Sequence, residues 1–169
     1  MARPDDPPAG GRADEIEAFW LDCQRRCNLK VAGFAATALG PTRALADELA
    51  LLVRSGVKRA HATLRREFEK DLEPLPGPGD LLVVLDGAGH PRAIVRNTRV
   101  ELRLFSQIDD EFAFAAGEGD LTLQWWLVAH RQQWSEQAER EGFEIGESSE
   151  LVLEHFDLVW PLPGSAAQA

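Results

Sequence analysis

Residues 81–95, LLVVLDGAGHPRAIV, set two apolar runs on either side of an Asp-Gly turn. Runs this short, rich in Val, Ile and Leu and broken by turn residues, make a β-hairpin. The turn sequence LPGPGD at 75–80 delivers the chain to the first run. The second run continues or restarts in NTRVELRLF, where Thr98, Val100, Leu102 and Leu104 alternate with Arg99, Glu101 and Arg103. A period of two puts these sets on opposite faces of a strand, and its polar face is mostly cationic. ELVLEHFDLVW forms a further strand that Pro161 and Pro163 stop.

Helices surround these strands in sequence. DEIEAFWLDCQRRC places Ile16, Phe19, Trp20, Cys23 and Cys27 on one stripe, with Asp14 as the expected N-cap. TRALADELALLVRSG repeats the pattern with Leu45, Leu49, Leu52 and Val53, and Gly56 ends it in the left-handed region. DEFAFAAGEGD reads as a loop leading to Asp120, the expected cap of a helix over LTLQWWLVAHRQQWSEQAERE that Gly142 closes. Trp126, His130 and Trp134 follow one another on it at i, i+4 and i+8. Without an alternating strand-helix rhythm there is no signal for a parallel nucleotide-binding sheet. The expected class is α+β, a small mixed β-barrel with flanking helices and an N-terminal helical segment.

The length of 169 residues suits one domain with a real core. Pro, Gly and small residues crowd both ends, so 1–12 and 163–169 are expected to be disordered tails. Between them 13–162 reads as a single domain, a helical lead-in over 13–56 and a barrel over 57–160. The absence of a long apolar run or a signal-like N-terminus suggests a soluble, cytoplasmic protein with no membrane partner. Cys23 and Cys27 stand alone and read as a reduced pair. The net charge of −10 is uneven: residues 51–103 hold ten of the eighteen Lys and Arg against seven of the twenty-eight acids. A local excess of +3 on an acidic body points weakly to a polyanionic partner; solvated charge on exposed faces explains it equally well.

GPGD and DGAGH lack the spacing and the strand-to-helix setting of phosphate-binding loops, and their glycines serve turns. His61, His90, His130 and His155 fall in four separate elements, so no metal centre and no cofactor are expected. No nucleophile elbow occurs. What remains is the pairing of GVKRAHATL, residues 56–64, with AAGEGDLTLQWWLVAH, residues 115–130.

Gly56 and Lys58, the Gly-Asp before the hairpin, Thr98 before Val100, Phe105, Phe112-Ala113, Gly117-Glu118-Gly119-Asp120, Trp126 and His130 together resemble the ASCH domain family over nearly the whole chain. The resemblance implies a fold similar to the RNA-binding PUA domains, with helices around a central cleft. It implies RNA binding, RNA cleavage, or hydrolysis of the amide of N-acetylated cytidine. In that last branch a lysine activates a threonine three residues on while a distant glutamate assists. By this likeness the lysine matches Lys58 and the glutamate Glu118; the third residue after Lys58 is His61, and the nearest hydroxyl is Thr63.

The neighbouring cations Arg54, Arg59, Arg65 and Arg66 favour a neutral Lys58 amine and a neutral His61 imidazole. Lys58 can then act as base or phosphate ligand, and His61 as a general base. An extended strand would point the two to opposite faces, so they converge only if the backbone turns. The expected catalytic set is Lys58, His61, Glu118 and Thr63. Arg59, Thr98, Trp126 and His130 are expected to hold an RNA or nucleoside ligand, an indole face being suited to a base. A non-catalytic RNA reader is the remaining alternative.

Overall fold

The computed structural model describes residues 1–31 and 33–162. Five strands form one curled sheet in the order β1-β3-β4-β5-β2, a half-barrel with helices on both faces. The hairpin at its centre is β3 (Leu81–Leu85) and β4 (Pro91–Leu104), closed by a turn in which the Asp86 carboxylate accepts from the Ala88 and His90 N–H groups. β4 runs unbroken through both apolar and alternating stretches, with a bulge between Asn97 and Arg99 that bends it onto β5 (Glu150–Trp160). At the edges lie two strands not expected from sequence: β1 (Ala35–Ala38), parallel to β3, and β2 (Ala60–Leu64), antiparallel to β5.

Helix α1 (Ala13–Cys27) buries Ile16, Trp20 and Cys23 against Leu81, Val83, Leu85 and Ile94. The two thiols are free, and burial pushes Cys23 up to about 12. Its N-cap is Arg12 rather than Asp14; the acid lies in the first turn, where the helix dipole favours it. Helix α2 (Arg43–Arg54) covers the other face of the same strands through Leu49, Ala50 and Val53, packed on Val84, Val95 and Phe156. It ends in a Schellman motif, Gly56 N–H donating to Val53 O and Val57 N–H to Leu52 O. Residues 4–12, expected from composition to be a tail, run against this body: Ala9 and Arg12 donate to Gly87 and Gly89 carbonyls, and Arg43 and Ala44 donate to Asp6 and Pro4. Residues 163–169 lie outside the described residues.

A short helix, α3 (Arg65–Lys70), follows β2 directly. The segment DEFAFAA, expected as loop, is helix α4 (Asp110–Ala116), because Asp109 caps it by accepting from Phe112 N–H at 2.9 Å and Gly117 closes it in the left-handed region. α5 (Leu123–Glu141) is capped by Thr122, not Asp120; Asp120 instead accepts from the Thr122 hydroxyl and N–H, one step before the helix. α4 and α5 pack Phe112, Ala116, Trp126 and Trp134 onto Ala60, Ala62, Leu64, Leu151 and Leu153. Among the described residues no helix is long and apolar enough to cross a membrane.

Because the Asp109 carboxylate caps α4, Asp109→Ala should lower stability by about 1 kcal/mol. Chemical denaturation would register this as a lower midpoint with an unchanged slope.

Candidate functional site

The left-handed turn at Gly56 sends Lys58 toward the free edge of β2. Phe156 N–H donates to Arg59 O, so that carbonyl faces β5, and the next one, Ala60 O, points outward along the unpaired edge. The Lys58 side chain folds back onto it. Its Nζ donates to Ala60 O at 2.8 Å, Ala116 O at 3.1 Å and Glu118 Oε2 at 2.8 Å. Three acceptors match the three N–H bonds of an ammonium, one more than a neutral amine could fill. Lys58 is 1% exposed and Glu118 6%. Burial lowers the lysine pKa from its ordinary 10.5 while the Glu118 carboxylate pulls it back.

The Gly-Glu-Gly loop makes this approach possible. A Cβ on Gly117 would lie 2.5 Å from Val57 O and 2.7 Å from Lys58 Cα, and one on Gly119 would enter the Trp125 ring at 2.1 Å. Both glycines have positive φ, 73° and 60°. The loop can thus lie directly on the Lys58 backbone, and the end of α4 offers Ala116 O to the ammonium.

His130 completes the centre from α5. Its Nδ1 lies 2.9 Å from Trp126 O, and because a carbonyl only accepts, that nitrogen carries the proton. In the neutral ring Nε2 is then a bare lone pair, and it faces Glu118 Oε1 at 3.9 Å. Burial lowers the His130 pKa, the Glu118 charge opposing. Two acceptors facing each other across this gap suit a bridging O–H or N–H donor.

The backbone turn required to unite Lys58 and His61 takes the form of an edge. β2 alternates Ala60, Ala62 and Leu64 toward the α4–α5 core, while His61 and Thr63 take the opposite, half-buried face. Lys58 wraps the edge between them, and burial, with the Lys58 charge adding to it, holds His61 well below 6.5. His61 Nδ1 and Trp126 Nε1 are buried with no hydrogen-bond partner among the described residues.

Of the other sequence candidates, Trp126 touches this centre and the rest lie farther out. Thr63 is two residues along the His61 face. Arg59 is exposed beside the centre. Thr98 sits in the β4 bulge, two strands from β2, donating to His155 O at 3.2 Å. Trp126 is 1% exposed; it stacks on His130 at 3.9 Å and meets Phe105, Phe112 and Trp134 on its other sides. Sequence reasoning passes over Glu154, paired with His61 on β5, and Asn97, beyond it on β4. Their only sequence signal is a polar residue inside otherwise apolar strand faces.

The cations of 51–103 are largely answered by acids. Arg65 meets Glu150, Arg66 and Lys70 meet Glu141, Arg99 meets Glu111, Arg103 meets Glu101 and Arg92 meets Asp86. Three of these acids come from beyond residue 103, so the linear excess of positive charge is mostly paired off in space.

A family model described as "ASCH domain" matches residues 35–160. The crystal structure of an ASCH domain from Lactobacillus crispatus JV V101 is similar at 32% identity and a TM-score of 0.79, covering 89% of this chain and 96% of that one. A crystal structure from Enterococcus faecalis V583 is similar at 26% identity and a TM-score of 0.78, covering 88% and 92%. No curated protein matches.

Two predictions test the centre. Glu118→Ala strands a buried ammonium and should cost about 3 kcal/mol, whereas the double substitution Lys58→Met with Glu118→Leu should recover much of that loss; a double-mutant denaturation cycle reads the coupling. Because His61 and His130 hold pKa values below the ordinary 6.5 when folded, the unfolded chain takes up their protons first. Their contribution to stability is complete above about pH 6.5 and is lost as the pH falls beneath it. Melting temperatures measured from pH 7 to 5 should therefore fall less in His61→Gln than in the wild type.

Proposed function

The chain belongs to the ASCH domain family, and from that premise we propose that it is a metal-independent hydrolase of a nucleoside-type ligand, RNA or a modified nucleoside, with the Lys58–Glu118 centre as its acid–base machinery. One observation carries this reading: all three Lys58 N–H bonds are committed to Ala60 O, Ala116 O and Glu118 Oε2, while Glu118 Oε1 faces the open His130 Nε2. A lysine with no free N–H direction is poorly placed to grip a phosphate. It is well placed to hold one carboxylate in a fixed direction.

The chemistry that follows is hydrolysis of an amide such as that of acetylated cytidine. Water bonded from one side to both Glu118 Oε1 and His130 Nε2 gives its proton to the carboxylate as its oxygen attacks the acyl carbon. The C–N bond then breaks, the leaving nitrogen takes the proton back, and acetate departs. Neutral His61 lies at the rim as a second acceptor. The paired cations and the net charge of −10 also favour a small ligand over a long polyanion.

RNA cleavage would use the same His61, whose buried Nδ1 has no partner among the described residues, as base toward a ribose hydroxyl. Incubation of chelator-treated protein with N4-acetylcytidine and with cellular RNA separates the two. Acetate release that drops at least a hundredfold in Glu118→Gln and in Lys58→Ala is the expected result, a general base contributing about 10²–10⁴-fold. RNA fragments lost in His61→Ala, with no acetate, would transfer the activity to RNA. Salt-sensitive RNA binding without either product would make the chain a binding module.

A further inference from the structure

On the face of β5 that carries His61 across the ladder, a second polar pair is built into the sheet. Glu154 is the direct cross-strand partner of His61. Asn97, 4% exposed on β4, donates from its side-chain amide to Glu154 Oε2 at 2.8 Å. Asn97 is itself immobilised: its N–H donates to Asp80 O and its carbonyl accepts from Gly79 N–H. Glu154 meets no Lys or Arg side chain among the described residues, and its second oxygen receives no hydrogen bond from one. A half-buried carboxyl without a cation is costly as an anion. Burial, reinforced by the Asp80 charge and offset by the Asn97 bond, raises its pKa.

We propose that Glu154, polarised by Asn97, is the residue that reads the ligand's heterocycle, accepting rings with an amidine edge, in which a ring nitrogen acceptor stands beside an exocyclic N–H donor. This rests on the reading of the Lys58–Glu118 centre as a nucleoside site and adds what that site recognises. A free carboxylic acid can present its donor and acceptor in either order and so cannot tell an amidine edge from a lactam edge. The Asn97 N–H removes that freedom. It bonds Oε2 and holds that oxygen as an acceptor, so that a proton taken up by the carboxyl with the ligand sits on Oε1 and one fixed pair faces the ring: an O–H for the ring nitrogen and a C=O for the exocyclic N–H. Cytosine and adenine carry that edge; uracil and hypoxanthine carry the reverse one and would set donor against donor. His61, the cross-strand partner of Glu154, lies between this edge and the Lys58–Glu118 centre.

The test is equilibrium binding of cytidine, adenosine, uridine and inosine to the full chain and its variants. In the wild type, cytidine and adenosine should bind at least tenfold tighter than uridine and inosine, the scale of one hydrogen bond lost and one buried group left unpaired. Asn97→Ala should collapse that ratio toward one while keeping cytidine binding measurable, because the acid regains both orders. Glu154→Gln, nearly isosteric and able to offer N–H and C=O together, should retain cytidine binding, and Glu154→Ala should weaken it about tenfold. Melting curves certify that each variant folds. If nucleosides bind and Glu118→Gln or Lys58→Ala perturbs them, but Glu154→Ala and Asn97→Ala change neither affinity nor ratio, this assignment is overturned and the site stands. If no nucleoside binds the wild type, both fall together.

Discussion

A lysine and a glutamate taken almost wholly out of water hold this site together. Separating either ion from solvent costs several kcal/mol, and the loss is offset only where geometry is close to ideal and every remaining N–H is used. Lys58 meets that condition through Glu118 Oε2 and two backbone carbonyls, one from its own strand and one from the end of α4. The pair therefore does more than join two charges. It fastens the open edge of the half-barrel to the α4–α5 connection; Gly117 lets those backbones touch, and Gly119 leaves room for the Trp125 ring.

From that fastening the electrostatics of the surroundings follow. Burial, with the Lys58 ammonium at the edge of β2 adding to it, lowers the pKa values of both nearby imidazoles. The hydrogen bond from His130 to Trp126 O decides which nitrogen is open, so the buried Trp126 backbone orients the ring that faces Glu118. The indole itself is shared among His130, Phe105, Phe112 and Trp134, and supports the histidine from behind. On the other face of β2, His61 and Glu154 share a ladder rung, which joins the acid–base centre to a polar patch held by Asn97.

Much of this is legible in the linear chain. The apolar stripes of α1 and α2, the central hairpin, the last strand and the end of α5 at Gly142 lie where periodicity and turn chemistry put them. Lys58, Glu118 and His130 stand out as candidates from sequence as well, and the fold brings all three together. The elements that escape a sequence reading share a cause. β1 is a run of small residues with little pattern, β2 is five residues alternating Ala with polar groups, and α4 is a single capped stretch of seven. In each the local signal is weaker than the tertiary contacts that select the conformation. Asp14 and Asp120 resemble caps in sequence because an acid near a helix start satisfies dipole and cap rules alike, and only backbone geometry separates them.

The charge distribution marks the boundary most clearly. Along the chain, residues 51–103 look cationic; in space Glu111, Glu141 and Glu150 return to meet Arg99, Arg66 and Arg65. Glu154 and Asn97 show the converse, two residues unremarkable in sequence that strand register turns into one hydrogen-bonded pair. The sequence by itself determined the types of the longer elements α1, α2, α5 and β3 to β5, the family, and which residue kinds could do acid–base work, since these depend on periodicity and chemistry within a few positions. Only the tertiary structure decided that Lys58 points along a strand edge rather than from a face, that its three donors are all engaged, and which charges remain unanswered. Those outcomes depend on which carbonyls and carboxylates arrive from distant parts of the chain.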